Sequence, residues 1–227
     1  MTQFKKITDD VHNELIEIFD NNLSKFDDHV WNTRAPMLKE LYNINDEKHI
    51  QTLRMEIKDP SVRAKINSIV NLFDGLDDAH GGFMNFCRGY LPIAMHTDVC
   101  VNPNNTVDDG YTIMIPLTVD KRIQTMVWQE RMGYPVFDDW ANTIDWNNRV
   151  KLNNLSEKYN LTNGHWPKPD IVDYIALDDV CQWSKGNAWC FKRSQIHCST
   201  NFKASGIEYK DYILIQTVGR LYTPEHR

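Results

Sequence analysis

The chain has 227 residues, of which 41% are hydrophobic and 25% charged, with a formal net charge of -6. These proportions suit a globular protein with a buried core and exclude a disordered or fibrous chain. No apolar run approaches the roughly 18 residues of a transmembrane span, and the acidic balance argues against nucleic acid as a partner.

The start, from Met1 to Lys6, leads into Asp9 and Asp10 and not into an apolar stretch, so no secretory signal is expected and the reading is cytoplasmic. The cysteines are Cys87, Cys100, Cys181, Cys190 and Cys198. Their number is odd and no Cys-x-x-Cys pair occurs. That spacing argues for reduced thiols and against a zinc ribbon.

The first 80 residues read as mainly helical. Val11, Leu15, Ile18, Phe19, Leu23, Phe26 and Val30 form one apolar stripe, with Thr8 or Asp9 as cap. A second helix follows Asp59 and Pro60, with Val62, Ile66, Ile69, Val70 and Phe73 as its stripe and Gly75 as its end. Between them, Leu53 to Lys58 alternates like a half-buried strand. After Gly81 and Gly82 the texture changes to short strands, expected at 83–90, 93–99, 111–118, 123–129, 187–192, 195–199 and 211–218. Pro116 suggests an edge or a bulge. Residues 130–186 are rich in Trp, Asn, Asp and Pro and read as an insertion, in which Trp140, Trp146, Trp166 and Trp183 pack a small core of their own, with substrate stacking as the alternative. Helices followed by many short strands indicate an α+β chain with a sandwich or barrel core, and the length suits a single domain over 1–227.

The chemistry concentrates in three places. On a strand, His96 and Asp98 project to the same side, and an imidazole beside a carboxylate supplies two ligands for a divalent metal. His197 sits on a later strand that can carry it inward to meet them, which would leave the remaining metal positions open. Lys210 opens the last strand. It is either at an exposed strand end or paired with an anion, because a buried, unpaired ammonium is costly. Tyr212 shares its face. His80 and His165 lack a same-face partner and read as loop histidines. Cys198 should point away from His197 into packing. Arg193 is open between orienting a ligand and a surface ion pair.

With His96-x-Asp98, the distal His197 and Lys210 in this order and strand context, the sequence resembles the iron(II)- and 2-oxoglutarate-dependent dioxygenases, nearest to their prolyl-hydroxylase-like members. The resemblance covers about residues 83–218. It implies a double-stranded β-helix, the jelly roll of the cupin type, with the N-terminal helices packed on it and the insertion near 130–186. It implies Fe(II) on His96, Asp98 and His197, 2-oxoglutarate as cosubstrate with its far carboxylate on Lys210, dioxygen as the second cosubstrate and ascorbate as a candidate reductant. The implied reaction hydroxylates an unactivated C–H bond of a small molecule or peptide and converts 2-oxoglutarate to succinate. Asp98 disfavours halogenation, since the related halogenases carry a small residue there.

Two positions depart from the family pattern. Phe86 stands where relatives often have a tyrosine, and Lys210 is a point charge where many carry an arginine fork. Lys203 is a competing cation. The alternatives are a non-catalytic, cupin-like metal-binding module with Lys210 at the surface, and a zinc or manganese enzyme acting on water. All the oxygenase readings require the imidazoles of His96 and His197 within about 8 Å of one another.

Overall fold

The computed structural model describes residues 1–29, 52–76, 81–93, 95–101, 107–108, 110–133, 144–145, 148–159, 161, 169–217 and 221–222. Residues His80, Trp140, Trp146, His165 and Trp166 lie outside them. No helix among the described residues is long and apolar enough to cross a membrane.

Two antiparallel sheets face one another. The larger contains β1 (Gln3–Lys6), β2 (Asp27–His29), β3 (Thr52–Glu56), β4 (Gly81–Gly89), β7 (Tyr111–Pro116), β10 (Asn187–Lys192) and β12 (Lys210–Thr217). Their order is β1-β10-β7-β12-β4-β3-β2. The smaller contains β8 (Gln124–Arg131), β9 (Leu177–Gln182) and β11 (Gln195–Ser199), in the order β11-β8-β9. A three-stranded ribbon joins β5 (Cys100–Val101), β6 (Val107–Asp108) and β13 (Leu221–Tyr222). Neighbours that are distant in sequence, such as β10 and β7 or β12 and β4, give the crossed connections of a jelly roll.

Alternation along β12 explains the layering. Ile213 and Ile215 enter the cluster beneath the N-terminal helices, while Tyr212 and Leu214 point between the two sheets. Period-two side-chain placement puts each set on its own face, and both faces are buried. A third cluster, with Trp128, Ile171, Ile175, Ile196 and Cys198, covers the outer face of the smaller sheet. Cys198 packs into this third cluster, as expected from its place beside His197, and also lines the cavity between the sheets.

The helix α1 (Asp9–Asn22) begins where Thr8 Oγ1 accepts from the Val11 amide at 3.4 Å. Its apolar stripe was expected to run on to Val30, but the helix stops at Asn22 and passes into a 3-10 turn, Leu23–Lys25. Two consecutive asparagines, poor helix formers, stand at that exit. The helix α2 (Pro60–Val70) starts as expected, with Asp59 Oδ1 accepting from the amides of Ser61 and Val62. It ends at Asn71, and Gly75 turns the chain in the left-handed region further on.

Several strand expectations need correction. The described residues of 93–99 form no regular strand; an isolated bridge joins His96 to His197 of β11, and the Ser199 amide donates to the Ile93 carbonyl at 3.2 Å. Pro116 is not on a sheet edge, since β7 lies between β10 and β12 and Pro116 ends it. The N-terminal residues supply two unexpected strands, β1 and β2, while β3 falls where a half-buried strand was expected, and all three extend the large sheet. The region expected to be an insertion contributes β9, which pairs along β8 and completes the smaller sheet.

Candidate metal centre

His96, Asp98 and His197 come together although the first two are not on a strand. One ligand atom from each lies within 4.8 Å of the others. His96 Nε2 is 3.6 Å from Asp98 Oδ1, and His197 Nε2 is 3.5 Å from Asp98 Oδ2. The two imidazole centroids are 4.2 Å apart, well inside the separation the sequence reading required. Among the described residues this is the group of acid, thiol and imidazole side chains arranged to hold an ion.

Backbone pairing sets this geometry. The amide of His96 donates to the carbonyl of His197 at 3.1 Å, and the amide of His197 returns a bond of 3.0 Å to His96. The two histidines thus face one another across a two-bond bridge. The register of β11 against β8 shifts between Gln195 and His197. There, the carbonyl of Gln195 accepts from His197 Nδ1 at 3.0 Å. A proton on Nδ1 leaves the Nε2 lone pair facing the carboxylate, the tautomer that ligates a metal.

The electrostatics suit a cation. Burial, with the neighbouring His96, lowers the pKa of His197 to about 4, so its ring is neutral at physiological pH. Burial alone would raise the Asp98 carboxyl. The imidazoles of His197 and His96 and the Thr112 hydroxyl outweigh it and hold the group well below the ordinary carboxylate range. Thr112 Oγ1 donates to Asp98 Oδ2 at 2.5 Å. Two imidazole nitrogens and one ionised carboxylate, with a cavity in front of them, fit a divalent first-row metal with open positions.

That cavity measures about 620 Å³, its open mouth included, and is lined by residues of both sheets. Its wall carries His96, Asp98, Thr112, His197, Ser199, Lys210 and Tyr212. Lys210 is buried, 3% exposed, so the reading of it as a surface cation at a strand end fails. Its ammonium donates to Ser199 Oγ at 3.0 Å and lies 4.7 Å from the Trp183 ring centroid. Phe202 and Tyr212 flank it, each with its ring centroid 5.5 Å away. Burial pushes its pKa down to about 7.

The competing Lys203 sits in a 3-10 turn, donates to the Glu208 carbonyl and is not part of the cavity wall. Phe86 does not face the cavity. It packs into the cluster under the helices, edge-on to Phe19 at 5.6 Å. Arg193 is not at the surface: it is 2% exposed, and its guanidinium donates to the Asp98 carbonyl behind the cavity wall. Trp183 was grouped with the insertion's own core, but it packs in the inter-sheet cluster beside Tyr212.

Sequence reasoning missed Thr112, Ser199 and Arg54 as wall residues. Ser199 carried a usable signal, since it lies two residues after His197 on one strand and shares its face. Arg54 lines the cavity from β3, directly across from Cys87, which in turn faces Tyr212. No sequence signal places that strand beside β4.

No family model matches the chain, and no curated protein matches it. Solved structures do. The non-heme alpha-ketoglutarate-dependent carbocyclase SnoK from nogalamycin biosynthesis is 12% identical, with a TM-score of 0.53 over 98% of this chain and 81% of that one. The non-heme alpha-ketoglutarate-dependent epimerase SnoN from the same biosynthesis is 9% identical, with a TM-score of 0.55 over 99% and 81%. SnoN in complex with Fe3+, alpha-ketoglutarate and nogalamycin RO gives 8% and 0.55 over 99% and 82%. At these identities the likeness establishes the fold: the chain is a jelly roll of the kind these proteins share, with helices packed on its larger sheet.

Proposed function

We propose that the protein is a non-haem iron(II)- and 2-oxoglutarate-dependent oxygenase. The observation that carries this reading is the meeting of His96, Asp98 and His197 within 4.8 Å on the wall of a cavity that also contains the buried cation Lys210. A bare metal-binding module needs no ammonium sequestered beside the ion, whereas a dicarboxylate needs one charge at each end. The fold shared with SnoK and SnoN, both alpha-ketoglutarate-dependent by name, supports the same reading.

His96 Nε2, His197 Nε2 and a carboxylate oxygen of Asp98 hold the metal. Bound there, iron(II) supplies the redox chemistry that couples decarboxylation of 2-oxoglutarate to oxidation of a C–H bond by dioxygen. Lys210 and Ser199 take the far carboxylate of 2-oxoglutarate, and the rings of Trp183, Phe202 and Tyr212 exclude water around it. The apolar parts of the wall, Ile93, Met114, Phe191 and Leu214, leave a dry space beside the ligands. Hydroxylation of a small-molecule substrate is the assigned outcome. With Asp98 in place, an open position is not conceded to halide.

Succinate formation from 2-oxoglutarate under air tests this. It should require added iron(II), vanish in His96→Ala and Asp98→Ala, and persist in Lys151→Ala, a surface control. Turnover by zinc-loaded protein, or equal turnover in His96→Ala, would overturn the proposal.

A further inference from the structure

We infer that Arg193 is a positioning residue for the carboxylate ligand: from the β10–β11 turn its guanidinium fixes the Asp98 backbone while Thr112 on β7 fixes the Asp98 side chain. The inference rests on the metal-site reading above.

The ladder between His96 and β11 breaks at Asp98. His96 and His197 pair as antiparallel neighbours. Continuing that register by two residues on each chain would set Asp98 opposite Gln195. Gln195 is not free to pair. Its carbonyl accepts from His197 Nδ1, and its side-chain amide donates to the Trp128 carbonyl and to Asp178. The amide of Asp98 instead donates to the carbonyl of Arg193 at 2.9 Å. That leaves the Asp98 carbonyl without a strand partner in a residue only 7% exposed. A buried carbonyl without a donor is destabilising.

Arg193 supplies the donors. Its Nε and Nη2 both point at the Asp98 carbonyl, at 2.8 and 2.5 Å. The bonds are charge-assisted and therefore stronger than amide–carbonyl bonds. The Arg193 amide in turn donates to the Gly110 carbonyl at 3.0 Å, one residue before β7 begins. Residue 98 is thus tied to the turn at 193 by three hydrogen bonds, while residue 96 is tied to strand β11 by two.

The side chain is tied separately. Thr112 donates to Oδ2 at 2.5 Å, and Oδ1 remains 3.6 Å from His96 Nε2. With the main chain held by Arg193 and one oxygen held by Thr112, the carboxylate keeps a single orientation toward the imidazoles. Lysine at 193 would keep the charge but could not send two coplanar donors to one oxygen.

The test is anaerobic Co(II) titration of the full chain, read by the visible ligand-field spectrum, with thermal melting to establish folding. Losing an outer hydrogen bond to a metal ligand typically costs about 10–100-fold in metal affinity. Folded Arg193→Met and Thr112→Val should weaken Co(II) binding by that much and alter the band shape, and Thr112→Ser, which keeps the hydroxyl, should restore both. Should Arg193→Met not melt cooperatively, Arg193→Lys decides by the same readout. Folded variants with parental affinity and spectrum would overturn the role of Arg193. A parent chain that binds no Co(II) would instead overturn the metal site itself, so the two failures are distinct.

Discussion

Lys210 lies with its ammonium 4.7 Å from the centre of the Trp183 ring, in the interior between the two sheets. The ring face partly offsets the cost of burying the charge when no anion is present, and Ser199 takes one of the three ammonium donors. Two ammonium donors would then serve an incoming carboxylate, the role proposed for Lys210.

Replacing that cation separates its role from the metal's. Lys210→Met should weaken 2-oxoglutarate binding by about 100-fold or more, since breaking a buried charge pair costs about 3–5 kcal/mol. Iron(II) affinity should change little, because the ligand atoms are untouched. Calorimetric titration of the iron-loaded variant checks this, and equal 2-oxoglutarate affinity would remove Lys210 from the site.

The depressed pKa of Lys210 gives a pH signature with a definite sign. Its folded-state pKa is about 7, below the ordinary 10.5, because burial penalises the ammonium. Between those values the unfolded chain holds a proton that the folded chain has released, so this group makes the ligand-free protein more stable as pH rises through the window. Lys210→Met should flatten that part of the melting profile. A bound dicarboxylate restores the ammonium. Binding at about pH 8.5 should therefore take up close to one proton, and at about pH 6 almost none. Titrations in buffers of different ionisation enthalpy measure the uptake, and a pH-independent value would contradict the assignment.

The edge of the large sheet offers a stability test. Gly186 has φ +70, and a Cβ there would sit 2.7 Å from the Ile7 carbonyl oxygen. The Ile7 amide donates to the Gly186 carbonyl at 2.9 Å, which joins β1 to the turn before β10. Gly186→Ala should destabilise the fold by roughly 1–3 kcal/mol through strain and clash. Denaturant unfolding measures it, and a neutral result would mean that β1 contributes little.

Local patterns made much of the fold legible. Thr8 and Asp59 announced their helices by capping chemistry, and the strands of the core followed from short apolar, β-branched runs such as Tyr111 to Thr118. The pairing of His96 with Asp98 was also visible, though for a reason the structure replaces. They converge through a two-bond bridge to β11 and a grip by Arg193, not through a strand. Arg193 stayed open between orienting a ligand and a surface ion pair, because nothing local says whether a charged turn residue will be buried. Thr112 and Arg54 face the cavity only because β7 and β3 take particular places in the sheet, and that order depends on contacts distant in sequence. β1 was missed because Gln3 to Lys6 alternates weakly and is strand-like only when laid against β10.

In the proposed function, His96, Asp98 and His197 hold a metal to which 2-oxoglutarate binds, with its far carboxylate on Lys210. The most direct measurement is the visible spectrum of the purified chain with iron(II), recorded without oxygen while 2-oxoglutarate is added. A weak charge-transfer band should grow to saturation in the parent chain, be absent in His197→Ala, and in Lys210→Met appear only at far higher 2-oxoglutarate. Iron bound to the parent chain with no band at any 2-oxoglutarate concentration would contradict the proposed function.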